Sequence, residues 1–482
     1  MKLPCAAGPE RLGDVTVPAE DNTLEIGQSR VGLMIDGLPE TPRVPVKLER
    51  TNRRVEVTVP FLDGRSDVYQ YWFASGIMYG DDPDRTKRRY EPPHAISFYD
   101  AHGPVALVGS RVLGSKLKLG GVGIGEGRLA FDYAILGASS FSAYESINGL
   151  RSEVEGLGTW IGLRSLEAEQ QFSETGRLDS VNLRLQSSPA IRVARKLNAE
   201  FRSNWRYGPG PGPDQTTISE RMHIHTQVRA ARDWEEHLGI HFSLRNLLRV
   251  AAWRRLNFVS HEVMSAGDPL RTLDGSAHGE QWFPVSTYQT GISSEAPATL
   301  NALDYLFAFG DVGSKGVGRW IFLSQEFERG LSPLVGLLDL EGASLEAHLA
   351  QVGIAFETLG YDLTIASGLS KGQADRKSWE ERVRAVTSVA ASVLPFPEDE
   401  FVDLLRRNYR AVKHADNSRP DWQELHLAYR QSIQAFRAWV GIQLGVPRER
   451  LKTALKQDKV TRHIMEIQRG MAASQSQGLQ TS

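Results

Sequence analysis

The stretch HAISFYDAHGPVALVG, residues 94–109, reads as two strands turned back on each other. Ile96 and Phe98 alternate with their neighbours before Gly103-Pro104, and Val105 and Leu107 resume the alternation after it. A period of two sends alternate side chains to one sheet face, so this pattern predicts a half-buried hairpin. The same period extends outward. Upstream, Val55, Val57 and Val59 alternate in RRVEVTVPF. Downstream come Leu129, Phe131, Tyr133 and Ile135, then Val181, Leu183 and Leu185, then Met222 and Ile224. Such strands, separated by Gly, Pro and Asp turns, predict an antiparallel sandwich or barrel-like region over about the first 290 residues. One helix interrupts it, from Trp234 to Val259, where Leu238, Phe242, Leu244, Leu247 and Leu248 fall near helical spacing.

The chain has 482 residues, 56 Lys+Arg, 58 Asp+Glu and a formal charge of −2. At ~150 residues per domain, that length predicts two or three domains. With 41% hydrophobic and 24% charged residues, it is neither a disordered nor a membrane-protein composition. The single cysteine, Cys5, excludes an intramolecular disulfide framework and any multi-cysteine zinc site. The N-terminal MKLPCAAGPERL has no signal-like apolar run, and no apolar run suits a spanning helix, so a cytoplasmic protein is expected. Two loops are rich in glycine. YGPGPGPD (Tyr207–Asp214) is a turn cluster, and LGGVGIGEG (Leu119–Gly127) lacks the Lys-Ser/Thr of a phosphate loop and leads into a strand.

Beyond the polar linker SSEAPAT, which begins at Ser293, the apolar spacing becomes helical. Ser332-Pro333 reads as a cap and first helical residue. After a break near Gly342, Leu345, Leu349, Val352, Phe356 and Leu359 form one stripe. Further helices are expected over Ser378–Leu394, after Pro397, from Pro420 to Gly441, and from Pro447 to near Gly470. Glu398, Asp399 and Glu400 stand in the first turn after Pro397, where negative charge suits the helix dipole. The charge is uneven: residues 401–470 hold 14 Lys+Arg and 7 Asp+Glu, while the first 400 residues carry a net −9.

The basic end contains RRNYRAVKH, in which Arg407 and His414 stand seven positions apart. On a helix that spacing returns them to within about 20° of each other, displaced ~10.5 Å along the axis. Phe401, Leu404, Leu405 and Val412 define the buried face, Asn408 lies on it, and Arg410 flanks it with Arg407 and His414. This set suits cleavage of an RNA phosphodiester. Histidine moves protons near neutral pH, and arginine holds the non-bridging oxygens as charge builds on them. If the RNA 2′-hydroxyl is the nucleophile, neither metal nor cofactor is needed. The axial separation requires long side chains to converge on the phosphate, or two copies of the helix to meet about a two-fold axis. An Arg and a His one heptad apart also describe an ordinary solvated basic face.

Arg407, the polar Asn408 and His414, on a late helix, resemble the R-x(4–6)-H motif of HEPN ribonucleases. The setting resembles the ApeA type in particular. AHLAQVGIAFETLGYDL (Ala347–Leu363) holds the place of its earlier acidic helix, and YWFASG, HAISFYDAHGPVALVG and GLGTWIGL resemble its β-rich N-terminal domain. The similarity spans about residues 20–470. It implies an α+β multidomain chain, with an antiparallel β-rich sensor or regulatory domain (1–292) and an all-α HEPN-type helical bundle (293–470); the uncharged tail of small residues (471–482) is expected to be disordered. It further implies an anti-phage effector acting by abortive infection, a metal-independent endoribonuclease leaving 2′,3′-cyclic phosphate ends. Its implied partners are an RNA substrate, a phage protein trigger and a second copy bound through the helical domain. Carried over by position, Arg407 and His414 are catalytic, Asn408 is the polar second residue, and Glu357 is an auxiliary acidic position. Six residues separate Arg407 from His414, the long end of the motif, and Arg410 competes as the arginine. The alternative is a non-catalytic HEPN-type protein whose β domain recognises a phage component. If catalysis holds, the N-terminal domain restrains the helical one, and residues ~295–482 alone are expected to be more toxic than the full chain.

Other histidines read as structural. His237 and His241, at i and i+4, lack a third ligand and read as a helix-surface pair. His223 and His225 read as a sheet-surface pair by the same count. Ser260-His261-Glu262 lacks the strand-to-helix elbow of a hydrolase nucleophile. Arg249, Arg254 and Arg255 near Trp253 read as a solvated basic face. A carbohydrate-active β-sandwich would need two carboxylates facing one cleft, which the sequence does not place.

Overall fold

The computed structural model describes residues 22–480 except 38–42, 63–67, 75, 118–122, 164, 187, 211, 213, 289–298, 415 and 419; for 68, 117, 206 and 474–480 it describes the backbone alone. Cys5, nearly all of the expected SSEAPAT linker and the start of the glycine-rich loop lie outside the described residues. The fold is an antiparallel β-rich N-terminal region followed by a helical C-terminal region. Two compact units divide the chain: residues 1–147 with 262–289, and residues 148–261 with 290–482. The sequence reading divides it at 292/293 instead.

The first unit is an antiparallel sheet. Its strands are β1 (Ser29–Ile35), β2 (Val44–Arg50), β3 (Val55–Leu62), β4 (Ala95–Asp100), β5 (Gly103–Val108), β6 (Arg111–Leu117), β7 (Ile124–Phe131) and β8 (Tyr133–Leu136). From the strand Phe283–Thr287 the spatial order runs β8-β5-β4-β1-β2-β3-β7-β6. The expected hairpin is β4–β5, with Asp100 opposite Gly103. Its turn is Ala101-His102, one step before the expected Gly103-Pro104. The register is set by Gly103 at φ +114°, a backbone that favours glycine, and by the Asp100 carboxylate accepting the His102 N–H at 2.9 Å. Val55, Val57 and Val59 are fully buried, as alternation requires. A built Cβ on Gly125 or Gly127 would stand about 2 Å from the rings of Phe61 and Phe73. Those glycines thus admit aromatic packing onto β7.

In the second unit, β9 (Ile147–Val154) is flanked by a strand on each side of its sheet. β10 (Leu166–Phe172) and β11 (Leu178–Leu185) form a separate hairpin, while β12 (Ile191–Arg192), β13 (Glu200–Pro209), β14 (Thr216–Arg232), β9 and β15 (Phe258–Met264) follow one another in a sheet. Val181 and Leu183, expected to face a core, are exposed because β10–β11 is a separate two-stranded sheet whose face is left open among the described residues. The helices are α1 (Leu157–Ile161), α2 (Trp234–Ala252), α3 (Phe309–Glu326), α4 (Glu328–Gly336), α5 (Leu345–Ala366), α6 (Lys371–Asp375), α7 (Trp379–Thr387), α8 (Glu398–Lys413), α9 (Trp422–Gln443), α10 (Arg448–Gln457) and α11 (Lys459–Gln480).

Most expected helices are present, with altered ends. α2 stops at Ala252, where Trp253 turns into the left-handed region at φ +44°. Pro333 lies inside α4 rather than at its start. The helix expected to end near Gly470 is two helices, broken at the extended Asp458 and continuing to Gln480. One hydrophobic core runs through this unit from Val154 to Ile464. The Trp160 indole donates to the Phe307 carbonyl (2.9 Å) and the Trp320 indole to the Ser243 carbonyl (2.7 Å). The helices and the 148–261 segment therefore bury a common interior.

Candidate functional site

α8 carries the Arg–His constellation. Its first turn holds Glu398, Asp399 and Glu400, complementing the exposed N–H groups there. Its amphipathic pattern buries Phe401, Val402, Leu404, Leu405, Asn408 and Tyr409. Tyr409 fixes the helix against its neighbours. Its ring stacks on Trp379 of α7 (centroids 5.3 Å, 16°) and fills the space that a Cβ on Gly353 of α5 would occupy. The helix ends at His414, which is extended (φ −120°, ψ 116°) while its N–H still reaches the Arg410 carbonyl at 3.0 Å. The Asn417 amide folds back onto the carbonyls of Arg410 (3.2 Å) and His414 (3.4 Å), satisfying two acceptors at the helix end.

Arg407 and His414 are both solvent-exposed, Arg407 within α8 and His414 just past its end, where the extended backbone removes it from the helical edge the spacing assigned it. The Arg407 side chain, 55% exposed, lies between Asp403 (3.3 Å) and Glu424 of α9 (4.0 Å). The Arg406 hydrogen bond, aided by the Arg407 charge, holds the Asp403 carboxyl below the usual carboxylate range. Arg410, 58% exposed, reaches instead to Glu380 of α7 (3.5 Å), which also meets Arg406 (3.5 Å). The two candidate arginines thus diverge, Arg407 toward α9 and Arg410 toward α7.

Two other expected residues are placed differently. Asn408 is only 1% exposed; its amide donates to the Leu404 carbonyl (2.9 Å), and its Oδ1 has no hydrogen-bond partner among the described residues. Glu357 pairs with Arg382 at 2.8 Å, and among the described residues no contact joins it to Arg407 or His414. Sequence reading missed Trp422. It is 63% exposed at the first position of α9, two residues before Glu424, with its ring against His426 (5.0 Å). Burial, then the charges of Arg430 and His463, push the His426 imidazole below its ordinary value.

The remaining histidines correct the surface-pair expectation. His223, His225, His237, His241 and His261 are all buried. Ser152 Oγ lies 2.6 Å from both His241 Nδ1 and His261 Nδ1. Thr226 Oγ1 lies 2.8 Å from His237 Nδ1 and 2.9 Å from His241 Nε2. The result is a continuous chain, His261–Ser152–His241–Thr226–His237, in the core of the second unit. Ser152 and Thr226 come from strands distant in sequence, and their hydroxyls make the burial of polar rings tolerable. Among the described residues, no group of three or more His, Cys, Asp or Glu is placed to hold a metal, and no helix is long and apolar enough to cross a membrane.

These features define a class: a β-rich region joined to a helical region in which Arg407 and His414, on and just past α8, are both exposed to solvent. The chain belongs to the family described as ApeA N-terminal domain 1, whose model matches residues 38–320, more than half of it. This membership supports an ApeA-like anti-phage defence protein. The match ends within α3 and does not reach α8. No curated protein and no solved structure matches the chain.

Proposed function

We propose that the chain is an anti-phage effector that acts by abortive infection, cutting RNA with Arg407 and His414. The observation that carries this reading is the exposure of both side chains, Arg407 on α8 and His414 at its C-terminal cap, in a chain whose N-terminal region is of the ApeA family. In the reaction, the RNA 2′-hydroxyl attacks its own phosphate, the bond to the 5′-oxygen breaks, and a 2′,3′-cyclic phosphate forms. His414 takes the 2′-hydroxyl proton, and the His414 of a second copy protonates the departing oxygen. Arg407 holds the non-bridging oxygens as charge develops. Asn408 serves from within, because its side chain does not face solvent. Trp422 offers a stacking surface for a base of the bound strand. Residues outside the helical region hold the activity in check until a phage component is met.

The test is His414→Ala in the full chain, read by RNA degradation and by protection from phage. Loss of both is expected, and retention of either overturns the catalytic assignment. The Arg407 ion pairs with Asp403 and Glu424 favour a second reading, a binding protein without catalysis. That reading expects Arg407→Ala and His414→Ala to leave protection intact.

A further inference from the structure

The first turns of α9 carry a strip of rings and a cation along one face. Trp422, His426 and Arg430 stand at i, i+4 and i+8, so their side chains follow one line on the helix. The Trp422 and His426 ring centroids lie 5.0 Å apart, and the Arg430 Nε donates to His426 Nε2 at 3.1 Å. The Arg430 guanidinium also lies 5.6 Å from the centroid of the Tyr429 ring, which meets the ring of His348, on α5, at 5.2 Å.

This arrangement holds one arginine and leaves part of it unused. His426 accepts at Nε2, so the neutral ring carries its proton on Nδ1, which has no hydrogen-bond partner among the described residues. With its Nε held by His426 and the Tyr429 ring beside it, Arg430 keeps Nη1 and Nη2 open. Among the described residues, no carboxylate or other acceptor meets either. Two such donors in one plane match two oxygens of a phosphate. Arg430 is only half-buried and Trp422 is exposed, so the strip opens to solvent. Its two ends differ in charge. Asp421, which caps α9 by accepting the N–H groups of Gln423 (2.8 Å) and Glu424 (3.0 Å), adjoins Trp422 and repels phosphate at that end.

We propose that this strip binds a single strand of RNA, with an unpaired base stacked on Trp422 and a phosphate further along the strand on Arg430. The choice of RNA rests on the reading of the chain as an RNA-cutting effector. The eight positions from Trp422 to Arg430 are ~12 Å along the axis, farther than the base and phosphate of one nucleotide reach, so the ligand is a strand and not a mononucleotide. A base in a duplex is already stacked on its neighbours, so the strip selects unpaired RNA. Every base has a π-face, so the sequence of the strand should matter little.

The test is fluorescence anisotropy of the full chain with a labelled 2′-O-methyl RNA of about eight nucleotides. This probe lacks the attacking 2′-hydroxyl and reports binding without cleavage. Arg430→Gln should weaken it about tenfold, the loss of one charge-assisted contact, and reduce the slope of log affinity against log salt by about 0.7. Arg430→Lys keeps the charge but not the paired donors, so the slope should hold while the affinity falls. AMP should not compete, and a duplex of the same sequence should bind more weakly. The proposal is overturned if Arg430→Gln, shown by its melting temperature to be folded, binds with the parent's affinity and slope. It is also overturned if AMP competes as well as the strand, which would mark a nucleotide pocket. A changed oligomeric state with unchanged RNA affinity would mark an interface between copies and overturn it equally. Retained cleavage by His414→Ala would unseat the catalytic assignment alone, because the probe cannot be cut.

Discussion

Arg437 of α9 donates from Nε to the carbonyl of Val250 at 2.9 Å, closing the C-terminal end of α2. Its NH2 reaches the Ala251 carbonyl at 2.8 Å, and its NH1 meets Asp458 at 2.9 Å. The side chain is fully buried, so its charge is held by Asp458 and two helix-end carbonyls rather than by water. Arg437→Ala removes the side-chain donor to both carbonyls and the counter-charge of Asp458, which keeps only the neutral donors Gln434 Nε2 (3.0 Å) and the Val460 N–H (2.8 Å). Such broken buried pairs cost about 3–5 kcal/mol. Urea unfolding should show a midpoint far below that of the parent chain, and an unchanged midpoint would contradict this account.

The same contacts bear on the isolated helical region. A fragment starting at ~295 would lose α2, the partner carbonyls of Arg437 and the strands that share its core. It should be insoluble or lack a cooperative melt, so its toxicity cannot report on restraint. A soluble, cooperatively folded fragment of residues ~295–482 would show that the common core is dispensable.

The legible parts of this fold are those where periodicity and burial coincide. The β4–β5 hairpin and β3 alternate because one face meets the core, and Leu349, Val352, Phe356 and Leu359 are buried in register along α5. The exposed edge of Arg407 and the burial of Asn408 also follow from angle alone. The histidine chain does not, because a ring at i, i+4 reads as surface unless the hydroxyls of Ser152 and Thr226 are known to meet it. Nor does the common core, since the inward faces of α2 and α9 look alike whichever element they pack on. Trp422 was hidden for the opposite reason: an aromatic at a helix start reads as core.

The histidine chain makes an acid-sensitive core. Burial, then the charge of Arg245, push His261 down to about 3, and burial with the neighbouring histidines holds His241 well below its ordinary value. Above about pH 6.5 both rings are neutral folded or unfolded, and the full stability is present. As pH falls from there toward 3, the unfolded chain takes up protons that the folded chain refuses, so stability drops. Urea midpoints at pH 7, 5.5 and 4 should fall in that order. His261→Gln should lower the midpoint at pH 7 but flatten its dependence on pH, and an equal slope in both proteins would discount His261 as the source.

Trp422 can be separated from the proposed chemistry. Its substitution removes a stacking surface, not a proton carrier, so Trp422→Ala should raise KM for single-stranded RNA about 5- to 100-fold with little change in kcat. Trp422→Phe should restore most of the loss. A change in oligomeric state with KM unaltered would instead place this exposed ring at an interface between copies.

Asn408 offers the sharpest contrast between stability and function. Its Oδ1 is buried without a partner, and an unsatisfied buried acceptor costs about 1–3 kcal/mol. Leucine is similar in size and removes that cost, so Asn408→Leu should raise the melting temperature of the chain. If Asn408 were only a tolerated core residue, activity would follow the fold and survive. Under the proposed mechanism, the amide is kept at the expense of stability because it orients the Arg407 edge or a second copy of α8. RNA cleavage by the more stable variant should therefore fall at least tenfold in kcat, about 1.4 kcal/mol. Full cleavage by a stabilised Asn408→Leu protein would remove Asn408 from the site.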